Sequence, residues 1–225
     1  MRLSKRLQTI ADFVKKGAVV ADIGTDHAHI PIYLIKNNII SKAYACDINI
    51  GPLEKAGENI KYFGVQNIEL RLSNGLEKLK TDEADTVIIA GMGGELIINI
   101  LEKDRRFFDT EIRFILSPHT KIDEVRRYLF ENGFKIIKED MCIDEGKFYT
   151  VMEAKYIGEP FSHTEKELLF GKYLIDNKNP ILYKYLEKEK KKYTDIIANE
   201  RLNGIRRNEL KQRLDIIEET INEMQ

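Results

Sequence analysis

Leu3, Leu7, Ile10 and Val14 are spaced four, three and four apart, which traces one face of a helix that Gly17 closes. The period then changes. "AVVADI" (18–23) is a short apolar run ending in a carboxylate and predicts a buried strand, followed by a helix over "PIYLIKNN" (31–38) with Pro31 in its first turn. The alternation repeats. "KAYACDI" (42–48) predicts a second strand and "GPLEKAGENIKYFG" (51–64) a helix. "IELRLSNG" (68–75), with alternating Ile68, Leu70 and Leu72, predicts a third strand. The wholly apolar "ADTVIIAGMGG" (84–94) predicts a fourth strand running into glycines, and "ELIINILEK" (95–103) the next helix. "RFILSP" (113–118) and "KIDEVRRYLFENG" (121–133) add a fifth strand and a helix. Strands alternating with helices of about 10–15 residues predict a parallel sheet covered on both faces. The last two strands, within 134–156 around the turn "DEGK", predict an antiparallel addition at one edge.

After Pro160 the pattern is helical only. "HTEKELLFGKYLI" (163–175) predicts one helix. Leu210, Leu214, Ile217, Ile221 and Met224 follow the 4-3-4-3 seam of a coiled coil. Leu182, Leu186, Tyr193 and Ile196 fit the same spacing, broken at Glu189. With "LNGIRRNE" (202–209) as the turn, the expectation is an antiparallel helical hairpin.

Composition narrows the class. A chain of 225 residues that is 43% hydrophobic and 32% charged has enough apolar surface for one core and a small appendage, so disorder is excluded. The formal net charge of −1 announces no global attraction to nucleic acid, so any basic surface is local. The segment after Met1 is charged and amphipathic, and no apolar run approaches the roughly 20 residues that span a membrane. Cys46 and Cys142 have no CxxC partner and fit reduced thiols, which points to a cytoplasmic protein.

The chemistry gathers at "ADIGTDHAHIP" (21–31), where a strand ends in Asp22, Gly24, Asp26, His27 and His29. A metal site needs three or four convergent ligands, and neither HxxxH nor HExxH is present. A dinucleotide turn needs G-x-G-x-x-G, and only Gly24 stands here. A plain loop with polar caps is the third reading. The other strand ends change the balance. Asp47 ends the second strand, where an acid in an open α/β sheet bonds ribose hydroxyls. "SNG" (73–75) ends the third and "AGMGG" (90–94) the fourth, all on the rim where such sheets bind ligands. An acidic first loop suits an ammonium and repels a phosphate, which is the pattern of an S-adenosylmethionine site.

Together "DIGTDHAHIPIYL", "CDIN", "NGLEKL", "IIAGMGGELI" and "DEGKFYTVM" resemble the bacterial tRNA (adenine-22-N1)-methyltransferases, closely over roughly residues 1–155. The resemblance implies an α/β class I S-adenosylmethionine-dependent methyltransferase domain, a Rossmann-like seven-stranded sheet, over 1–158. It implies a C-terminal α-helical coiled-coil domain over 159–225, with tRNA as partner; the histidine spacing gives no expectation of a metal, and the sequence leaves the oligomeric state open, with a monomer favoured. The resemblance also implies that Asp22, Gly24 and Asp26 line the methionine end of the cofactor, that Asp47 holds the ribose, and that Asn74 and Gly75 border the adenine. Gly91 and Met92 would complete the cofactor site. "GMGG" (91–94) stands where many adenine-N6 enzymes carry an Asn/Asp-Pro-Pro-aromatic loop, and its absence fits attack by a ring nitrogen. Gly93 and Gly94 would let the base slide against the backbone. Asp26, with His27 as partner or proton acceptor, is the candidate to stabilise the cationic product. The fifth strand ends in Ser117-Pro118-His119, where the family tends to carry Gln-Pro-Asn, so base contacts at Pro118 and His119 are a departure. Arg6, on a basic N-terminal face with Arg2 and Lys5, is expected to touch substrate, and Phe148 and Tyr149 are candidates to stack on the base. Lys184, Lys188, Lys190, Lys191 and Lys192, with Arg206 and Arg207, are expected to track phosphates. The rival readings are a methyltransferase for a small molecule, which predicts activity surviving loss of the tail, and a non-catalytic module, which predicts cofactor binding without turnover.

Overall fold

The computed structural model describes residues 1–160, 162–198 and 204–225, in two compact units, Met1–Ser162 and His163–Gln225. Ile157 and Gly158 still donate to the Gly133 carbonyl, which ties the chain to the first unit as far as residue 158.

The first unit holds seven strands: β1 (Val19–Ile23), β2 (Lys42–Asp47), β3 (Ile68–Leu72), β4 (Thr86–Ala90), β5 (Arg113–Ser117), β6 (Phe134–Asp144) and β7 (Lys147–Tyr156). They form one sheet in the order β3-β2-β1-β4-β5-β7-β6. β1 to β5 pair in parallel, and β7 runs antiparallel to both β5 and β6. The strand order reverses between β1 and β4, which opens a crevice at their carboxyl ends.

Helices α1 (Lys5–Ala11), α2 (His29–Lys36), α3 (Ile50–Tyr62), α4 (Gly94–Lys103) and α5 (Ile122–Glu131) cover the faces. The central strands read as unbroken apolar runs because both of their faces are buried. Val20, Ala43, Ile88 and Ile115 join Ile10 and Leu34 on one side. Their neighbours Ala21, Tyr44, Val87 and Phe114 join Ile97 and Leu129 on the other. β3 differs from its apolar reading: it is the sheet edge, and Leu70 and Leu72 are exposed. α1 is shorter than its apolar face, capped by the Ser4 hydroxyl and ending at Ala11, while Val14 packs into the core from a turn.

In the second unit, the single helix expected over 163–175 is two, α6 (Glu165–Phe170) and α7 (Lys172–Asp176), parted at Gly171. α6 starts on a capping box of Thr164 and Glu167. α8 (Pro180–Ile197) and α9 (Gly204–Met224) pack together, and Leu182, Leu186, Leu210, Ile217 and Ile221 on them are buried. The stripe stops short of its expected end, for Ile196 is exposed. Of the turn expected over 202–209, residues 202 and 203 lie outside the described residues and 204–209 open α9. No helix among the described residues is long and apolar enough to cross a membrane.

Candidate active site

The crevice between β1 and β4 holds a cavity of about 200 Å³ whose walls include Arg6, Asp22, Gly24, Asp26, His29 and Gly91. Its floor is the end of β1. Asp22 is buried and accepts a 2.6 Å hydrogen bond from the Thr25 hydroxyl. Burial pushes its carboxyl up to about 6; the Thr25 bond opposes this, and the negative charges of Asp47 and Asp26 add to it. The chain then turns sharply, the Gly24 and Thr25 N–H groups both donating to the Cys46 carbonyl at the end of β2. Gly24 makes this turn at φ +71°, so the backbone conformation calls for glycine, and a Cβ there would meet the movable end of Met92, 2.8 Å from its Cε.

Asp47 is also buried, and one of its carboxylate oxygens accepts the Asn49 N–H at 2.9 Å. Beyond β3, the Asn74 amide donates to Glu77 at 2.9 Å, which leaves its carbonyl oxygen directed to no partner among the described residues. Gly75 turns beside Ile100. Along this rim the acids of β1 and β2 and the Asn74 carbonyl are acceptors, which fits a ligand carrying an ammonium, ribose hydroxyls and an adenine amino group. Among the described residues, no group of three or more His, Cys, Asp or Glu could hold a metal ion.

A second constellation adjoins the first through Arg6. Its guanidinium lies 3.1 Å from His119 Nε2 and 5.5 Å from the centre of the Tyr149 ring. The His119 and Tyr149 rings meet edge to face, 5.4 Å apart. The Arg6 N–H donates to Asp144 at 3.2 Å, which fixes the start of α1 on the end of β6. The His119 N–H donates to the Met92 carbonyl at 2.9 Å, tying the loop after β5 to the loop after β4. Burial, Arg6 and Lys147 push the His119 imidazole below the usual histidine range.

Several expected residues stand elsewhere. His27 is 3.3 Å from the Asp26 carboxylate and stacks on His29 with ring centres 5.4 Å apart, but it does not wall the cavity. His29 does, and its Nδ1 is buried without a hydrogen bond, while burial and the neighbouring His27 push the imidazole below the usual histidine range. Pro118 is buried, so it sets the bend after β5 and has no face to offer a base. Gly94 is corrected outright. It is buried where α4 meets α5, and a Cβ would lie 2.6 Å from the Thr120 carbonyl, 2.8 Å from that of Lys121 and 2.9 Å from Val125. It is a close-packing glycine. Gly94→Ala is expected to cost about 2 kcal/mol by overpacking, read as a lower urea midpoint with unchanged m-value. A midpoint equal to that of the parent protein refutes the assignment.

Leu7, Thr25, Ile30 and Ala90 wall the cavity without having been singled out in the sequence as site residues, and His29, noted in the first loop, had been given no role there. Thr25 follows Asp22 by three positions in a sharp turn, a spacing at which a hydroxyl reaches back to a carboxylate, and that was the available signal.

The chain matches the methyltransferase domain family over residues 3–152. It is similar to the tRNA (adenine(22)-N(1))-methyltransferase of Bacillus subtilis (strain 168), with 34% identity over 236 residues, covering 99% of this chain and 98% of that one. The crystal structure of the B. subtilis m1A22 tRNA methyltransferase TrmK superposes with a TM-score of 0.84 at 33% identity, covering 98% of this chain and 99% of that one. M. capricolum TrmK in complex with S-adenosyl-homocysteine, its natural cofactor product, superposes with a TM-score of 0.86 at 33% identity over the full length of both chains.

Proposed function

The chain belongs to the methyltransferase domain family and, within it, to the tRNA (adenine(22)-N(1))-methyltransferases, and from that premise we propose that it methylates N1 of adenosine 22 in tRNA. The enzyme depends on S-adenosylmethionine. The observation that carries this reading is the cavity at the β1–β4 switch point, whose Asp22 and Asp26 carboxylates suit a cationic nucleoside and whose Arg6 leads to the neighbouring His119–Tyr149 cluster. A tRNA substrate also supports a cytoplasmic location.

When bound, S-adenosylmethionine supplies an electrophilic methyl group on a sulfonium. Asp22 and Asp26 would meet its ammonium, Asp47 its ribose hydroxyls, and the Asn74 carbonyl its adenine amino group, a reading supported by the cavity lining, the burial of both strand-end acids and the unused Asn74 acceptor. The target adenine presents N1, which is unprotonated at neutral pH, so the chain need hold no base in readiness. Its task is to align that nitrogen, and alignment alone supplies much of a displacement's rate. Arg6, His119 and Tyr149 are the side chains gathered to do so. The methylated base carries a positive charge, and the Asp26 carboxylate stands at the cavity to stabilise it. On α8, Lys190 is paired with Glu218 and Lys192 with Glu189, while Lys184 and Lys191 are exposed and unpaired among the described residues. The unpaired lysines support phosphate contacts by this helix.

The direct test is methyl transfer from labelled S-adenosylmethionine to unmodified tRNA transcripts with adenosine or guanosine at position 22. Label recovered as N1-methyladenosine with the first transcript alone is expected. Tight cofactor binding without label on either transcript overturns the assignment.

Asp26 allows a finer test. It adopts the left-handed conformation at φ 51° with its side chain 70% exposed. Asp26→Ala is expected to lose about 1 kcal/mol of stability to backbone strain, whereas Asp26→Gly, at ease in that region, stays near the parent. Turnover should fall at least tenfold in both, because both lack the carboxylate. Normal turnover in the glycine variant removes Asp26 from the chemistry.

A further inference from the structure

We infer that His119 is a positioning residue that donates a hydrogen bond from Nδ1 to an acceptor nitrogen, N7 or N3, of the target purine, its tautomer being fixed by Arg6. The inference rests on the adenine-N1 reading above and adds to it the atom that reads the base.

The argument begins with the 3.1 Å contact between Arg6 Nη1 and His119 Nε2. A guanidinium has five donors and no acceptor, so Nε2 must be the acceptor and carries no proton. The neutral ring then holds its proton on Nδ1. Partial burial, the Arg6 charge and Lys147 all disfavour a second proton on this ring. The ring is also held in place. Its main-chain N–H is bonded to the Met92 carbonyl, and Tyr149 meets its edge. Arg6 is fixed in turn by Asp144 at its own N–H and by the face of Tyr149. The same Arg6 walls the cavity beside Asp22, Asp26 and Gly91. His119 is exposed, and its Nδ1–H has no partner among the described residues. A fixed donor therefore stands next to the reaction site.

Adenine offers such a donor few choices. Its amino group is itself a donor, and the N1 lone pair is consumed by the new methyl bond. That leaves N7 on one edge and N3 on the other. Guanine carries both nitrogens too, so His119 sets the orientation of a purine and leaves the choice between purines to the amino-group contacts.

The test uses the full-length enzyme with tRNA carrying adenosine, 7-deazaadenosine or 3-deazaadenosine at position 22. Each analogue replaces one acceptor nitrogen by C–H and also alters the basicity of N1. His119→Phe keeps an aromatic ring without a donor, and His119→Asn keeps an N–H donor. The parent enzyme is expected to lose about fivefold to tenfold in kcat/KM on one analogue, the worth of one neutral hydrogen bond. His119→Asn should retain that loss. His119→Phe should start lower on adenosine by a similar factor and show no further loss on the same analogue. Changes in N1 basicity act equally on all three enzymes and cancel in the comparison. A penalty undiminished in His119→Phe, or no penalty on either analogue in the parent, overturns the inference. Long-range proton–nitrogen correlation spectra of the imidazole decide the tautomer independently: a predominant Nε2–H form refutes it, whatever the kinetics. Failure of the parent enzyme to methylate adenosine itself would instead strike the functional reading.

Discussion

S-adenosylmethionine affinity is expected to fall about tenfold for each pH unit below about 6, and Asp22→Asn is expected to bind weakly with a flat profile. The Asp22 carboxyl is buried and pushed up to about 6, so it is anionic at neutral pH and takes up a proton within a range easily reached in solution. A bound ammonium favours the anion, and the complex therefore resists protonation to a lower pH than the free enzyme does. Between those two values each pH unit costs about 1.4 kcal/mol of binding, or a factor of ten. The free protein responds with the opposite sign. Asp22 holds its proton more tightly folded than unfolded, where its ordinary value is 3.8. Its contribution to stability is therefore gained as pH falls through about 6, by about 1.4 kcal/mol per unit until the unfolded value is reached. His29 and His119, held below the usual histidine range, work the other way, since protonating them favours the unfolded chain. The difference between the parent and Asp22→Asn isolates the aspartate. Calorimetric titration with cofactor from pH 7 to 5, beside thermal unfolding of the free protein, reads both signs. Affinity in the parent that does not change over that range refutes the role given to Asp22.

Arg126→Ala should destabilise the protein by about 3–5 kcal/mol, the usual effect of leaving one buried charge without its partner. Arg126 on α5 and Glu139 on β6 are 2% and 1% exposed, and Nε donates to the carboxylate at 2.8 Å. Glu139→Leu alone should be comparably damaging. The double substitution Arg126→Met with Glu139→Leu should recover most of the loss, because it removes both charges and keeps the volume apolar. Urea unfolding of the three variants measures the cycle. Losses that simply add refute a coupled pair. The pair bolts α5 to the outermost strand, and that strand ends at Asp144, which holds Arg6. The alanine variant is therefore also expected to loosen the base-positioning cluster.

The alternation of strands and helices was legible because parallel strands buried on both faces must be apolar throughout, as Val87, Ile88 and Ile89 are. The acids and glycines of the rim were legible for a related reason: a carboxylate such as Asp22 or Asp47 closing an apolar run has few structural explanations. Packing between distant elements was not. Arg6, His119 and Tyr149 could each be suspected singly, but their meeting depends on α1 resting on β6 and on how far β7 reaches past β5. Gly94 was read with Gly93 as a glycine along which the base could slide, because the three glycines in these four positions look alike in sequence, and only the nearness of the Thr120 and Lys121 carbonyls sets it apart. The burial of Arg126 was not legible at all, since nothing local announces a carboxylate waiting on the next strand. Leu70 and Leu72 misled in the opposite direction, for periodicity cannot tell an edge strand from a central one.

The bond between the Arg6 main chain and Asp144 has a practical consequence for handling the protein. Met1 and Leu3 pack against the core just ahead of Arg6, so a purification tag fused before Met1 is tethered a few residues from the base-positioning cluster. Such a tag is expected to disturb the Ser4 cap, α1 and through them the Arg6–His119 contact. A chain tagged before Met1 should therefore turn over more slowly than the untagged chain, and rates of the two measured side by side check this.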